Sequence, residues 1–482
     1  MSADLDLCYT PATELAARIR TGRLSPVELI DNALARIAEV NPKLNGFCFV
    51  YPEEARAIAR EREAEAKQGK LRGPLHGVPF AIKDLTPTRG KRTTLGSFAY
   101  EHNVPDHDAP IVEALTKAGG ILIGKTTTPE FAYSSFTESP LWGISRNPWD
   151  PARTPGGSSG GAGIAVATGC VPLAEGSDMG GSVRIPASFC GTVGYKPSFG
   201  RIPFTILPSQ FDQFSHFGPL TRTVADAALF LQVTQGPDER DIQSLKPALD
   251  FSQKPNLDLK GLRLALCLDF ANRIWHPEVE AAVRRSAELL RAAGAEIEEV
   301  SLSDQWGFDL DEAWAKHWAV YLATFFHHVL PQYRAKMDPR VVDYIDRGLA
   351  MSAVEFKTIE IQRTEAWKEL APILTRCDAL LCPTMAQPAV RVGRADTEFW
   401  QLDTEGNYRC LDVTSVFNFV SQCPALSVPC GWAQKTTGEP ATPAGLPMGL
   451  QIVGRRFEDL TPLRIAAALE QRQPWAQMRP PV

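Results

Sequence analysis

The chain has 482 residues, is 44% hydrophobic and 22% charged, and carries a formal charge of −6. That balance is globular and supplies apolar material for a large core, and it lacks the basic block that nucleic-acid binding requires. No run approaches the ~20 consecutive apolar residues of a membrane span, and the acidic start "MSADLDLCYTP" has neither a basic n-region nor an apolar h-region, so a cytoplasmic protein is expected.

In chain order, Thr10-Pro11 predicts a capped helix start, with proline at the first helical position. Ser25-Pro26-Val27-Glu28 reads as a capping box, after which Leu29, Ile30, Ala33, Leu34 and Ile37 recur at helical spacing. A charged helix is expected from Glu53 to about Lys67. The run Val78 to Ile82 in "LHGVPFAIKD" predicts a buried strand, "GGILIGK" predicts another, and Ile111 to Lys117 between them has helical spacing. Strands alternating with helices predict an α/β fold with a largely parallel sheet.

From Gly156 to Gly200 the composition shifts to dense glycine and serine with small apolar residues between them. A flexible linker would be polar throughout. Here Ile164, Ala165, Val166 and Ala167 form one apolar run, and Val171, Leu173 and Ala174 another, so the glycines are expected to serve close backbone packing or positive-φ turns. The stretch from Lys435 to Pro447 reads as a surface loop. Ten scattered cysteines without a C-x-x-C pair read as buried, reduced thiols rather than a zinc or redox site.

Two literal motif matches fail on their mechanics. Gly119 to Thr126 satisfies G-x-x-x-x-G-K-[ST], but a P-loop needs a glycine-rich loop where this segment has Ile-Leu-Ile, the most strand-like residues available. G-x-S-x-G fits at Gly156-x-Ser158-x-Gly160 and Gly157-x-Ser159-x-Gly161. A nucleophile elbow needs a hydrophobic strand leading into it, whereas "NPWDPARTP" precedes it, and none of the five downstream histidines sits in a distinctive setting.

Read together, the two serine regions, "GGSSGGAGIAVATG" and "GSDMGGSVRIPASFCGTVGYKPSFGRIP", resemble the amidase signature family. The flanks "HGVPFAIKD", "GKTTTPEFA", "WGISRNPWD", "GPLTRTVADAA", "CDALLCPT", "FNFVSQCPALSVPCG" and "GLPMGLQIVG" agree in order, over roughly residues 70 to 455. The resemblance implies a Ser-Ser-Lys triad. Its base falls on Lys83, its central serine, preceded by a cis peptide bond, on Ser158, and its nucleophile on Ser182. A serine hydroxyl needs a base to take its proton, and lysine is a base only when neutral, which burial can achieve. The amides of Met179, Gly180, Gly181 and Ser182 are expected to form an oxyanion hole. A helix beginning in "VRIPASF" would add positive potential beside it. Ser159 and Ser177 are expected to support the site by hydrogen bonding, and Asp178 and Arg184 to form an ion pair or a supporting contact.

By the same resemblance, Tyr133 and Ser134 in "FAYSS" should wall the acyl pocket. Trp314, Trp318, Tyr321 and Phe325 fall on one helix face, and Trp318 and Tyr321 become pocket candidates. An aromatic roof points to apolar or aryl amides, with carbamates and esters open to the same acyl-enzyme chemistry. A glutamine-hydrolysing amidotransferase of the A type is the rival within the family; its members commonly carry glutamine where this chain has Ile185. A non-catalytic amidase-like binding protein is the other alternative. The implied fold is a mixed sheet of about eleven strands with helices on both faces, in one domain over residues 1–482. Residues 1–65 would be helices outside the core that offer a homodimer contact, 70–230 the catalytic core, and 300–350 a variable pocket region. No metal or organic cofactor is implied. The expected partner is a small amide substrate, with no nucleic acid and no membrane.

Overall fold

The computed structural model describes residues 2–270, 273–302, 309–393, 411–436, 439–440 and 445–482. Eleven strands share one sheet: β1 Phe47–Val50, β2 Pro79–Lys83, β3 Ile121–Thr126, β4 Leu173–Asp178, β5 Val193–Lys196, β6 His216–Thr221, β7 Arg263–Phe270, β8 Glu296–Leu302, β9 Ala379–Pro383, β10 Ala425–Ala433 and β11 Leu446–Gly454. Their spatial order is β1-β3-β2-β4-β6-β5-β10-β11-β9-β7-β8. The sheet is mixed. β3-β2-β4 and β9-β7-β8 run parallel, and the strands from β4 through β6, β5, β10 and β11 to β9 pair antiparallel. The largely parallel sheet expected from strand–helix alternation is therefore only partly right, because β4 to β6 and β10 to β11 are joined without a parallel crossover between them.

Side chains on each strand alternate between two cores, as the period of two requires. Phe80, Ile82, Leu173, Leu264, Leu266, Leu381, Leu426 and Val428 join helices Val224–Thr234, Pro277–Ala292 and Leu460–Arg472 on one face. On the other, Ala81, Ala174 and Leu220 pack with Ile164 and Val166, while Ala265, Cys267, Leu380 and Cys382 pack with residues of helices Leu310–Phe326 and Ala353–Arg376. A sheet covered on both faces explains why β2, β4, β9 and β11 are buried along their full length.

The helices read from the sequence form at Pro26–Leu44, Pro52–Lys67 and Pro110–Lys117, and Ser25 Oγ caps the first by accepting from the amides of Val27 and Glu28 at 3.0 and 3.4 Å. Thr10 does not cap. Its hydroxyl donates to the Asp6 carbonyl at 2.8 Å, and helix Ala12–Arg20 is capped by Asp226, which accepts from the amides of Ala12 and Thr13 at 2.9 Å each. That partner lies more than 200 residues downstream, beyond the reach of a local pattern.

The literal P-loop is strand β3. Its Lys125 is buried and donates to the Thr86 carbonyl at 2.9 Å. The expected surface loop at 435–447 has a short pairing of Lys435–Thr436 with Glu439–Pro440, and its end is not a loop at all, since Leu446 and Pro447 open β11. Residues 437–438 and 441–444 of that expectation, and Cys410, lie outside the described residues. The other nine cysteines are free thiols.

Candidate active site

β2 and β4 are parallel neighbours, so their carboxyl ends emerge together at one edge of the helix layer. β2 ends on Lys83 and β4 on Ser177 and Asp178. Ser158 and Ser159 enter from the loop that opens helix Gly160–Ala167, across a cis Gly157–Ser158 bond. Gly157 has no substitute here: a Cβ would lie 2.7 Å from the Ser134 carbonyl oxygen and 2.8 Å from that of Phe136. Only glycine lets these two backbones pass.

Lys83 is fully buried, and its Nζ lies 2.6 Å from Ser158 Oγ and 3.0 Å from both Ser159 Oγ and Ser177 Oγ. Burial lowers its ammonium from the ordinary lysine range to about 7, against the opposing charges of Glu175 and Asp178. Glu175 is equally buried in β4. It accepts from the Lys83 amide at 2.8 Å and the Thr86 hydroxyl at 3.1 Å, and burial raises its carboxyl to about 7. A carboxylate directly after the apolar Leu173-Ala174 pair of a buried strand is the signal that could single out Glu175.

The next turn is built around Asp178. Burial alone would raise its carboxyl, but Arg184 beside it, with Lys196 and Asn418, holds it well below the usual range. Arg184 Nη2 stands 2.8 Å from Asp178 Oδ1, and neither side chain is exposed. Arg184 also donates to Gln451 Oε1 at 2.7 Å and Asn418 Oδ1 at 2.6 Å. The Asp178 carboxylate further accepts from the Gly181 amide at 2.8 Å and the Val183 amide at 3.2 Å. The Gly181 amide, expected in the oxyanion hole, is thus committed elsewhere. Among the described residues, the amides of Met179, Gly180 and Ser182 meet no acceptor. Helix Arg184–Cys190 begins just beyond them.

Ser182 is half-buried, its carbonyl accepts from the Ser159 amide at 3.2 Å, and its Oγ has no hydrogen-bond partner among the described residues. It lines a cavity of about 60 Å³ together with Tyr133, Ser134, Met179, Gly180, Ile185, Trp314, Trp318 and Tyr344. Tyr133, Ser134 and Trp318 therefore share a cavity with Ser182. Tyr321 does not. It stacks on Trp318 at 4.8 Å and lines a separate cavity of about 420 Å³ with Phe214, Phe325 and Phe356. Trp314 is the wall residue that the helix-face pattern contained but did not single out. A Cβ on Gly180 would lie 2.5 Å from Trp314 Cζ2, so the indole sits directly on the Met179–Ser182 turn. Tyr344 comes from helix Pro339–Ala350, and nothing local marks it.

The wall loop is strained. Phe131, Ala132 and Ser134 have φ of 52°, 60° and 120°, a region that side-chain-bearing residues rarely occupy. Packing holds it: Phe131 stacks on Phe326 at 3.9 Å, Tyr133 lies 4.8 Å from Tyr344, and buried Glu130 accepts from Ser97 Oγ and the Asp338 amide, both at 2.6 Å. Among the described residues no three His, Cys, Asp or Glu side chains gather to hold a metal, and no helix is long and apolar enough to cross a membrane.

The amidase family model matches residues 28–463. An acylamidase of Rhodococcus erythropolis is 35% identical over 479 residues, covering 98% of both chains. The A-type component of the glutamyl-tRNA(Gln) amidotransferase of Chloroflexus aurantiacus is 33% identical over 497 residues, covering 98% of this chain and 99% of that one. A solved bacterial aryl acylamidase of the amidase signature enzymes superposes with a TM-score of 0.89 at 29% identity, covering 98% of this chain and 97% of that one. The 6-aminohexanoate cyclic dimer hydrolase superposes with a TM-score of 0.84 at 29% identity, covering 98% and 99%.

Proposed function

The chain belongs to the amidase signature family of amide-hydrolysing enzymes, and from that premise we propose that it cleaves apolar or aryl carboxylic amides with Ser182 as nucleophile, Ser158 as relay and Lys83 as base. One observation carries the reading: the buried Lys83 Nζ lies 2.6 Å from Ser158 Oγ, in a setting that favours the neutral amine. Ser182 Oγ attacks the amide carbonyl carbon and passes its proton to Ser158, which gives its own to Lys83. The carbonyl oxygen becomes an oxyanion that accepts from the amides of Met179, Gly180 and Ser182, a reading supported by their having no other acceptor among the described residues. Collapse breaks the C–N bond, and the proton returns through Ser158 to the departing amine. Water then attacks the Ser182 ester by the same relay and releases the acid.

The cavity lining supports the substrate class. Ile185, Trp314, Trp318, Tyr133 and Tyr344 offer aromatic and aliphatic surface, and no charged side chain is among the described lining residues, which suits an aryl or alkyl acyl group. Relatives named as amidotransferase components favour a second reading, glutamine hydrolysis. The same lining weighs against it, because a free amino acid carries two charges into the site. Labelling with a fluorophosphonate followed by peptide mapping tests the nucleophile: modification of Ser182 supports it, and modification of another serine with Ser182 untouched removes it. Turnover of acyl anilides against glutamine decides between the two substrate readings.

A further inference from the structure

We propose that Thr414 is a positioning residue for the oxyanion loop, holding the Gly180–Gly181 peptide in the plane from which the neighbouring amides serve the reacting carbonyl. This rests on the reading of Ser182 as nucleophile. Thr414 is buried, and its Oγ1 donates to the Gly180 carbonyl at 2.6 Å. The N–H of the same peptide, on Gly181, donates to Asp178 Oδ1 at 2.8 Å. A peptide is planar and its C=O and N–H point opposite ways, so a grip at both ends fixes the whole unit. The two grips are themselves tied together. Arg184 is paired with Asp178 at 2.8 Å and donates from Nη1 to the Thr414 carbonyl at 2.9 Å. Thr414, the Gly180–Gly181 peptide, Asp178 and Arg184 thus form a closed ring of contacts.

Close approach is part of the arrangement. A Cβ on Gly181 would lie 1.9 Å from Thr414 Oγ1, and the φ of Gly181 is 123°, so glycine is needed for the hydroxyl to reach over it. Thr414 is anchored from behind. Its amide donates to Asp412 Oδ1 at 2.9 Å, and its Oγ1 lies 2.7 Å from the same oxygen. The hydroxyl proton is shared between the Gly180 carbonyl and that carboxylate oxygen, so Asp412 fixes the rotamer from which Thr414 reaches the Gly180 carbonyl.

The test compares T414V, which keeps the shape and loses the hydroxyl, with T414S, which keeps the hydroxyl. Acyl anilide turnover and inhibition by a trifluoromethyl ketone, whose adduct places an oxyanion in the site, are measured on the full chain with thermal midpoints alongside. Removing one direct oxyanion donor costs roughly 10²–10³ in kcat, so a residue acting through the loop should cost on the order of tenfold or more. T414V is expected to lose that factor in kcat with KM little changed, and to bind the ketone more weakly by a similar factor, while T414S stays near the parent. A T414V kcat within about twofold of the parent, or an equal loss in T414S, overturns the proposal. Should T414V fail to fold, T414A, which also lacks the hydroxyl, is read in the same way. Full activity in Ser182→Ala would sink the nucleophile assignment; a normal T414V with a dead Ser182→Ala would sink only the role of Thr414.

Discussion

Lys83 Nζ stands 2.6 Å from Ser158 Oγ, and among the described residues the side-chain atoms it bonds are all serine hydroxyls. An interior lysine normally finds a carboxylate, because an unpaired buried charge is costly. Here the two nearby carboxylates are turned to other partners: Glu175 to the Lys83 amide and Thr86, Asp178 to Arg184. The cheaper state is then the neutral amine, which has a lone pair to offer, and the shortest of the three contacts marks the hydroxyl whose proton it can take.

The first prediction concerns pH. Lys83 is a base only when neutral, and burial lowers its pKa to about 7, so kcat/KM should climb as pH rises through about 7 and level off above it. The Glu175 charge raises the lysine, so Glu175→Gln should move that rise to lower pH while leaving the plateau within a few-fold. A rate profile unchanged by the substitution would show that the limb belongs to another group.

The second concerns the aromatic wall. Trp314 and Trp318 stack at 6.3 Å and line the Ser182 cavity from one helix. Trp318→Ala should raise KM for aryl acyl amides roughly tenfold, a loss of about 1.4 kcal/mol, and alter acetamide hydrolysis far less. An unchanged ratio of the two substrates would place the acyl group elsewhere.

The third concerns stability. Removing one partner of a fully buried ion pair costs roughly 3–5 kcal/mol, because the other charge is stranded. Arg184→Met leaves Asp178 in that position, with neither side chain exposed in the parent. Urea unfolding should show a loss of that size. A loss below about 1 kcal/mol would mean that Asp178 takes up a proton or water at little cost.

What could be read from the residues follows how local each signal is. The strand at Pro79–Lys83, the helices at Pro26–Leu44 and Pro52–Lys67, and the placement of Lys83, Ser158, Ser159 and Ser177 rest on short runs or on an ordered set of motifs, and these were legible. The cap on Ala12–Arg20 was not, because Asp226 comes from a distant helix. The direction of the Gly181 amide is not legible, because glycine density marks a tight turn without saying which way each N–H points; the Asp178 carboxylate decides that. The separation of Tyr321 from Trp318 is not legible either, because a helix face of constant aromatic character spans two cavities, and only the neighbouring elements divide it. Thr414 and Tyr344 carry no local mark.

The most direct test of the central claim is kcat for Lys83→Ala at neutral pH, on protein whose circular dichroism and unfolding transition match the parent. The account predicts a fall of roughly 10³-fold or more with acyl anilides, since the base is gone while the pocket stays intact. A folded Lys83→Ala enzyme within tenfold of the parent would contradict it.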